Sequence, residues 1–194
     1  MIDAIRNSLE EADRALKRLL ADEETLERIA LAASSLTESL ENGGRIFACG
    51  NGGSMCDAAH FAEELTGRYR KDRPGFAAIA INDPSHITCV GNDFGFDEIF
   101  SRYIESHGRL GDVLLALSTS GKSPNVLKAV AAAERLGMTT IALTGVLKSP
   151  LAQQADIAIC TPAGDFADRV QELHIKVLHI LIELVERQLC PENY

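Results

Sequence analysis

Two predicted helices carry residues suited to acid–base chemistry. The first places His60 and Glu64 four residues apart, so that both lie on one face. The second carries Asp168, Gln171 and His179, which fall within about 80° of one another at about 100° per residue and make a polar stripe on an apolar helix. A carboxylate whose pKa is raised by partial burial abstracts a proton from carbon beside a carbonyl, and imidazoles transfer protons. The pattern predicts proton transfer on a small molecule.

Each of these groups also has a purely structural interpretation. Glu63 and Glu64 together are typical of a solvated helix face, and His179 lies among apolar residues, where a lone histidine is more often part of the core. We favour a functional role because Glu64 follows a candidate phosphate loop and His179 shares its stripe with two polar residues. His174 falls off the stripe and is expected to be structural or interfacial.

Two loops are candidate phosphate sites, because each follows a predicted strand and opens a predicted helix. They are Cys49–Ser54 (CGNGGS) and Ser118–Ser123 (STSGKS), the second followed by Pro124 at a preferred first helical position. Free N–H groups at a helix N-terminus favour an anion, and glycines let it approach closely. A single glycine-rich turn is as often only a tight connection between a strand and a helix as it is a binding site. Two such turns at one edge of the sheet favour a ligand site. The second loop resembles a nucleotide P-loop except that Ala116 replaces its first glycine, so a sugar phosphate fits better than a nucleotide.

Composition narrows the class of protein and its partners. The 194 residues carry a net charge of −9, which argues against nucleic acid or an anionic membrane as the main partner. No apolar run reaches the roughly 18 residues that span a bilayer, and Met1–Ala4 does not begin a signal peptide, so we expect a cytoplasmic protein. The five cysteines are widely spaced and are expected to be reduced thiols.

The hydrophobic pattern predicts one domain over residues 1–194, with residues 1–42 as an N-terminal helical extension used in oligomerisation. Apolar residues at three- and four-residue spacing predict helices over 2–20 and 24–41. Short apolar strands then alternate with helices, which is typical of a parallel sheet covered on both faces. The expected fold class is α/β, a three-layer α-β-α sandwich with a five-stranded parallel sheet.

The remaining elements follow from the same pattern. The predicted strands are Arg45–Cys49, Phe76–Ile81, Asp112–Leu117, Thr139–Leu143 and Asp156–Cys160. The predicted helices are Ser54–Thr66, Phe94–Ser106, Ser123–Leu136, Ser149–Ala155 and Asp165–Leu189.

Five segments carry a resemblance to a known family. They are CGNGGS at 49–54, AHFAEEL at 59–65, GNDFG at 91–95, STSG at 118–121 and DRVQELH at 168–174. With them the chain resembles the sugar isomerase (SIS) domain family, which has a flavodoxin-like fold, and most closely its phosphoheptose isomerase branch. The resemblance implies interconversion of sedoheptulose 7-phosphate and glycero-manno-heptose 7-phosphate, the first step toward the heptose of lipopolysaccharide. It also implies a homotetramer with sites between subunits.

The resemblance implies a role for each matching residue. Glu64 would be the base that forms an enediol, and His179 the acid. Phosphate would be bound by Ser54, Ser118, Ser120 and Ser123, assisted by Thr119. We assign Asn51 to substrate binding as well, with the N–H groups of Gly52 and Gly53 beside it. The sugar would be lined by Arg68, Asn92, Asp93, Asp168 and Gln171.

We expect the protein to bind zinc as a cofactor. His60, Glu64, Gln171 and His179 match positions that hold zinc in some family members, although glutamine is an uncommon zinc ligand.

A non-catalytic SIS module that binds a phosphosugar or a protein is the main alternative to the heptose phosphate isomerase. Isomerisation of a different phosphosugar is the other, because phosphate loops do not count carbon atoms.

Overall fold

Five short strands form one parallel sheet. They are β1 (Ile46–Gly50), β2 (Ala78–Ala80), β3 (Val113–Leu117), β4 (Thr139–Thr144) and β5 (Ile157–Cys160), in the order β2-β1-β3-β4-β5. The computed structural model describes residues 1–164 and 166–194. Both faces of the central strands are buried, which explains why their sequences are continuous apolar runs.

Helices cover both faces of this sheet. In the described residues they are α1 (Ile2–Leu20), α2 (Glu23–Glu41), α3 (Gly53–Thr66), α4 (Pro84–Asp93), α5 (Ser101–His107), α6 (Pro124–Arg135), α7 (Pro150–Gln154) and α8 (Ala167–Leu189). Ile46 and Ala48 face a core shared with α2, α3 and α8, whereas Phe47 and Cys49 face a second core built with α4 to α7. Alternate side chains of one strand therefore serve two cores, and the predicted three-layer sandwich and five-stranded parallel sheet are confirmed.

The structure corrects the prediction between β2 and β3. The continuous helix expected over Phe94–Ser106 is wrong: this stretch holds a short 3-10 turn at Phe96–Glu98 and then α5. Gly95 has a φ of 94°, which a right-handed helix does not allow, and it separates the turn from α4. α4 itself was not predicted, although its Asp83 cap and Pro84 are start signals that the sequence contains. The expected start of the last helix at Asp165 lies outside the described residues.

The two N-terminal helices differ in how they pack. α2 buries Ile29, Ala33 and Leu36 in the core that it shares with α8, so it is a full member of one helical layer. α1 buries only Ala15 and Leu19. Its remaining large apolar side chains are exposed, at Ile2, Ile5, Leu9, Leu16 and Leu20. No helix in the described part of the chain is long and apolar enough to cross a membrane.

Candidate functional site

The two candidate phosphate loops meet where the strand order of the sheet reverses. β1 lies beside β3, while the chain continues outward to β2 on one side and to β4 on the other. The loops that follow β1 and β3 therefore leave the same edge in opposite directions, and α3 and α6 begin there. Ligands of open α/β sheets bind in the crevice that this arrangement makes.

A reciprocal pair of amide hydrogen bonds joins the first loop to the start of α6, directly after the second loop. Asn51 Nδ2 donates to Asn125 Oδ1 at 2.9 Å, and Asn125 Nδ2 donates to Asn51 Oδ1 at 2.8 Å. Asn125 is buried, and its Oδ1 also accepts from the backbone N–H of Val126. The amide of Asn51, predicted to bind substrate, is thus partly engaged in holding the first loop to the start of α6.

Hydroxyl groups cluster within the second loop. Ser118 Oγ and Ser123 Oγ lie 3.0 Å apart, and Ser118 Oγ also accepts from the N–H of Gly121. Ser120 Oγ accepts from the N–H of Lys122 at 3.3 Å. Gly121 has a φ of 63°, and a Cβ there would come 2.1 Å from Ser149 Oγ, so the loop is closed against the start of α7. The predicted phosphate residues of this loop are therefore held in one compact turn.

One face of α3 lies along α8. Gly53, Asp57, His60 and Glu64 fall within about 60° of one another on α3, at the usual rotation per residue. A Cβ on Gly53 would come 2.7 Å from both terminal atoms of the Gln171 amide, so this side chain rests on the start of α3. Farther along the same contact between α3 and α8, His60 contacts His179. The predicted catalytic and metal residues on the two helices are therefore neighbours in space.

The two imidazoles are in direct contact. His60 Nε2 lies 2.9 Å from His179 Nε2, and Glu64 Oε1 lies 3.6 Å from the same His60 atom. The Glu64 side chain is 18% exposed. Burial, followed by the charge of His60, lowers the pKa of His179 below its ordinary value of 6.5. His179 is therefore a neutral imidazole at pH 7, able to donate one proton and accept another.

The donor set around His60 suits a zinc ion. Ligand atoms of His60, Glu63 and Glu64 lie within 4.8 Å of one another, and His179 Nε2 adds a second imidazole nitrogen. Two nitrogens and a carboxylate are the ligand types that catalytic zinc sites use. Gln171 rests on Gly53, about 10 Å along α3 from His60 at the usual helical rise. The structure thus brings His60, Glu64 and His179, three of the four predicted ligands, together. The fourth, Gln171, lies at the other end of the contact between α3 and α8.

Most of the remaining predicted residues are exposed, and Ser54 is the buried exception. Ser54 is buried at the start of α3, while Gly52 and Gly53 are exposed beside it. Asn92 and Asp93 end α4, where the Asn92 amide donates to Asp93 Oδ1 at 2.7 Å. The exposed group consists of Arg68, Asn92, Asp93 and Asp168, with Thr119 half-buried.

Comparison with known proteins identifies the family of this chain. Residues 9–145 match the family model of the SIS domain. Phosphoheptose isomerase from Aeromonas salmonicida is 57% identical over 97% of this chain and 98% of its own length. Phosphoheptose isomerase from Escherichia fergusonii is 58% identical over the same shares. The chain belongs to the SIS domain family and, within it, to the phosphoheptose isomerases.

A solved phosphoheptose isomerase shares the complete fold. The structure of phosphoheptose isomerase GmhA from Neisseria gonorrhoeae aligns with a TM-score of 0.87 and 38% identity, covering 95% of this chain and 97% of that one. The family resemblance that the sequence analysis drew from five short segments is therefore confirmed over nearly the whole chain.

Three residues near the site were missed by the sequence analysis. Asn125 follows Ser123 and Pro124, so its place at a helix start beside an oxygen-rich loop was the available signal. Asp57 shares the face of α3 with His60, and its Oδ2 is buried without a hydrogen-bond partner among the described residues. Burial raises the pKa of Asp57, against the opposing charge of His60. Tyr69, whose ring centre lies 5.9 Å from that of His179, carried no signal in the sequence.

His174 belongs to the interior of the chain. It is fully buried, and neither ring nitrogen has a hydrogen-bond partner among the described residues. Of the two roles expected for it, the structural one therefore fits. Burial lowers its pKa to about 4, so the ring is neutral at pH 7.

Proposed function

We propose that the protein is an aldose–ketose isomerase that converts D-sedoheptulose 7-phosphate into D-glycero-D-manno-heptose 7-phosphate through an enediol, at the start of the pathway to lipopolysaccharide heptose. The observation that carries the proposal is the contact between α3 and α8, which brings His179 Nε2 to 2.9 Å from His60 Nε2, the atom that Glu64 Oε1 approaches to 3.6 Å. The phosphoheptose isomerase relatives, at up to 58% identity, support the substrate.

Glu64 and His179 divide the two proton transfers of the reaction. Glu64 removes a proton from C1 of the ketose, and the developing charge on the C2 oxygen is met by a proton from His179. Glu64 then delivers its proton to C2 while His179 recovers one from the C1 hydroxyl, which leaves the aldehyde. A neutral His179 suits this relay, because it donates a proton without first having to be charged.

The loops after β1 and β3 bind the phosphate. The hydroxyls of Ser54, Ser118, Ser120 and Ser123 supply donors, with Thr119 and the N–H groups of Gly52 and Gly53 beside them. Two helix N-termini add their positive ends, which matters in a chain of net charge −9. Holding the phosphate fixes the distance from the substrate's far end to C1 and C2, and so aligns those carbons with Glu64.

Zinc is part of the proposal. His60, Glu64 and His179 would hold it, with Gln171 as a fourth ligand after a change of its side-chain conformation. When bound, zinc would polarise the substrate oxygens as a Lewis acid. The convergence of two imidazole nitrogens and a carboxylate supports this assignment.

The functional unit that we propose is a homotetramer with sites between subunits, in the cytoplasm. Two observations support the assembly. The exposed apolar side chains of α1 form a continuous stripe, which subunit contacts commonly cover. Arg68, Asn92, Asp93 and Asp168, all expected to touch the sugar, are exposed on the single chain, so a second subunit would complete the site.

A direct assay tests the function. Pure protein is incubated with sedoheptulose 7-phosphate, and NMR follows the appearance of an aldose signal, with Glu64→Gln as the inactive control. Fructose 6-phosphate in a parallel sample tests the alternative of another phosphosugar isomerase. Binding of the heptose phosphate without turnover would favour the non-catalytic SIS module and reject our proposal.

A further inference from the structure

The loop between α3 and β2 follows one face of α8. The Tyr69 ring lies against His179, Arg70 Nη2 lies 2.7 Å from Glu183 Oε2, and Arg73 Nε lies 2.7 Å from Glu186 Oε1. His179, Glu183 and Glu186 are spaced four and three residues apart, so they lie on the same side of α8. The loop is thereby fastened to α8 at three successive points, starting at the proposed acid.

The third contact, between Arg73 and Glu186, is buried and charged. The side chains of Arg73 and Glu186 are each only 1% exposed. The other carboxylate oxygen of Glu186 accepts from the Tyr194 hydroxyl at 2.9 Å. We call Arg73, Glu186 and Tyr194 the clamp. Buried charges are costly unless fully paired, so the clamp must keep one geometry to be tolerated.

Arg73 also caps the end of α3. Its Nη2 donates to the carbonyl of Glu64 and its Nη1 to the carbonyl of Leu65, both at 2.7 Å. Nη1 donates further to the carbonyls of Gly67 and Pro74. Carbonyls in the last turn of a helix lack partners within the helix, and here a guanidinium supplies them. One side chain thus holds the backbone of the proposed base and, through Glu186, the helix of the proposed acid.

We propose that Arg73 is a positioning residue for the isomerisation, because the clamp sets the place of Glu64 relative to His179. This inference rests on the proposed roles of those two residues. The planar fork of arginine is required, since lysine cannot reach the Glu64 and Leu65 carbonyls and the Glu186 carboxylate in fixed directions at once. The clamp acts on proton transfer and leaves phosphate binding alone, because the phosphate loops lie at the opposite end of α3.

The test compares Arg73→Lys, Glu186→Gln and Tyr194→Phe in the heptose phosphate assay. We expect kcat to fall about tenfold or more in the first two and about threefold in the third, with KM changed less than about threefold, since small misplacements of reacting groups slow the chemistry itself. Arg135→Lys and Glu105→Gln are the matched controls, because that pair joins α5 and α6 at the surface, away from the site. Both controls should keep wild-type kcat.

Folding is monitored separately by thermal unfolding, and assays run well below each variant's Tm. If Arg73→Lys does not fold, Glu186→Gln and Tyr194→Phe decide. Wild-type kcat in the folded clamp variants, or a rise in KM with kcat unchanged, overturns the inference. Glu64→Gln in the same series separates the positioning role of Arg73 from the proposed function. If Glu64→Gln is inactive while the clamp variants have wild-type kcat, only the positioning role is rejected. If Glu64→Gln is active, the assignment of Glu64 as the base is rejected.

Discussion

His60 Nε2 and His179 Nε2 lie 2.9 Å apart, close enough for a single proton to be shared between them. The two nitrogens cannot both carry a proton in this contact, so one imidazole accepts while the other donates. Because His60 belongs to α3 and His179 to α8, this contact joins the two helices that carry the proposed base and acid. It also leaves both nitrogens available to a metal ion in place of the proton.

Replacing the base or the acid should remove turnover without unfolding the protein. We expect Glu64→Gln and His179→Gln each to lose at least about a hundredfold in kcat, because the amide keeps the shape and loses the proton transfer. Steady-state kinetics on the heptose phosphate measure this, with circular dichroism confirming the fold. Glu63→Gln, at the exposed neighbouring carboxylate, should lose less than about tenfold. Near-normal turnover in either main variant would reject the acid and base assignment.

The amide pair between Asn51 and Asn125 should behave as one unit. We expect Asn51→Ala and Asn125→Ala each to raise KM for the sugar phosphate about five- to tenfold, because either change loosens the first loop from the start of α6 beside the second loop. The double variant should be little worse than either single one. A double-mutant cycle in KM checks this, and additive effects would show that the two amides act independently.

Zinc should bind where His60 and His179 meet. We expect elemental analysis of the purified protein to find zinc, and His60→Ala to lose it, since an alanine removes one of two imidazole ligands. Chelation should lower turnover and added zinc should restore it. Full activity in protein shown to be metal-free would exclude zinc from the reaction and leave Glu64 and His179 as a metal-independent pair.

The exposed stripe of α1 should be needed for assembly. We expect the full-length protein to scatter light as a tetramer, and the single change Leu9→Glu to shift it toward smaller species, because a charge in an apolar interface is costly. Glu10→Gln, the next residue on the polar side, should leave the tetramer intact. A stable full-length monomer at micromolar concentration would contradict the proposed assembly.

His174 should make the fold sensitive to acid. Its folded-state pKa of about 4 lies below the ordinary 6.5, so between those pH values the unfolded chain binds a proton that the folded chain does not. The contribution of His174 to the free energy of unfolding is therefore fully present above pH 6.5. It decreases by up to about 1.4 kcal/mol per pH unit as the pH falls toward 4. Urea unfolding at several pH values measures the slope.

Replacing His174 isolates that contribution. We expect His174→Leu to flatten the acid slope, whereas His107→Leu, at an exposed ring, should keep it. An unchanged slope in His174→Leu would show that other groups govern acid unfolding.

The fold class and most of the helices and strands could be predicted from the amino-acid pattern. Continuous apolar runs bounded by turn residues are enough to predict buried parallel strands, and glycine- and serine-rich turns at strand ends predict an anion site at one edge. The prediction failed between β2 and β3, where Gly95 breaks a pattern that looks helical by spacing alone. Local signals such as a glycine with positive φ are visible only once the backbone is known.

The contacts between distant residues became visible only in the folded chain. His60 and His179 are separated by 119 positions, and Asn51 and Asn125 by 74, so no local pattern relates the members of either pair. Their contacts depend on the strand order at the sheet edge and on how α3 packs against α8. The same is true of Arg73, whose role depends on carbonyls and a carboxylate that burial places around it. Helical spacing shows which side chains share a face, and packing alone shows what that face touches.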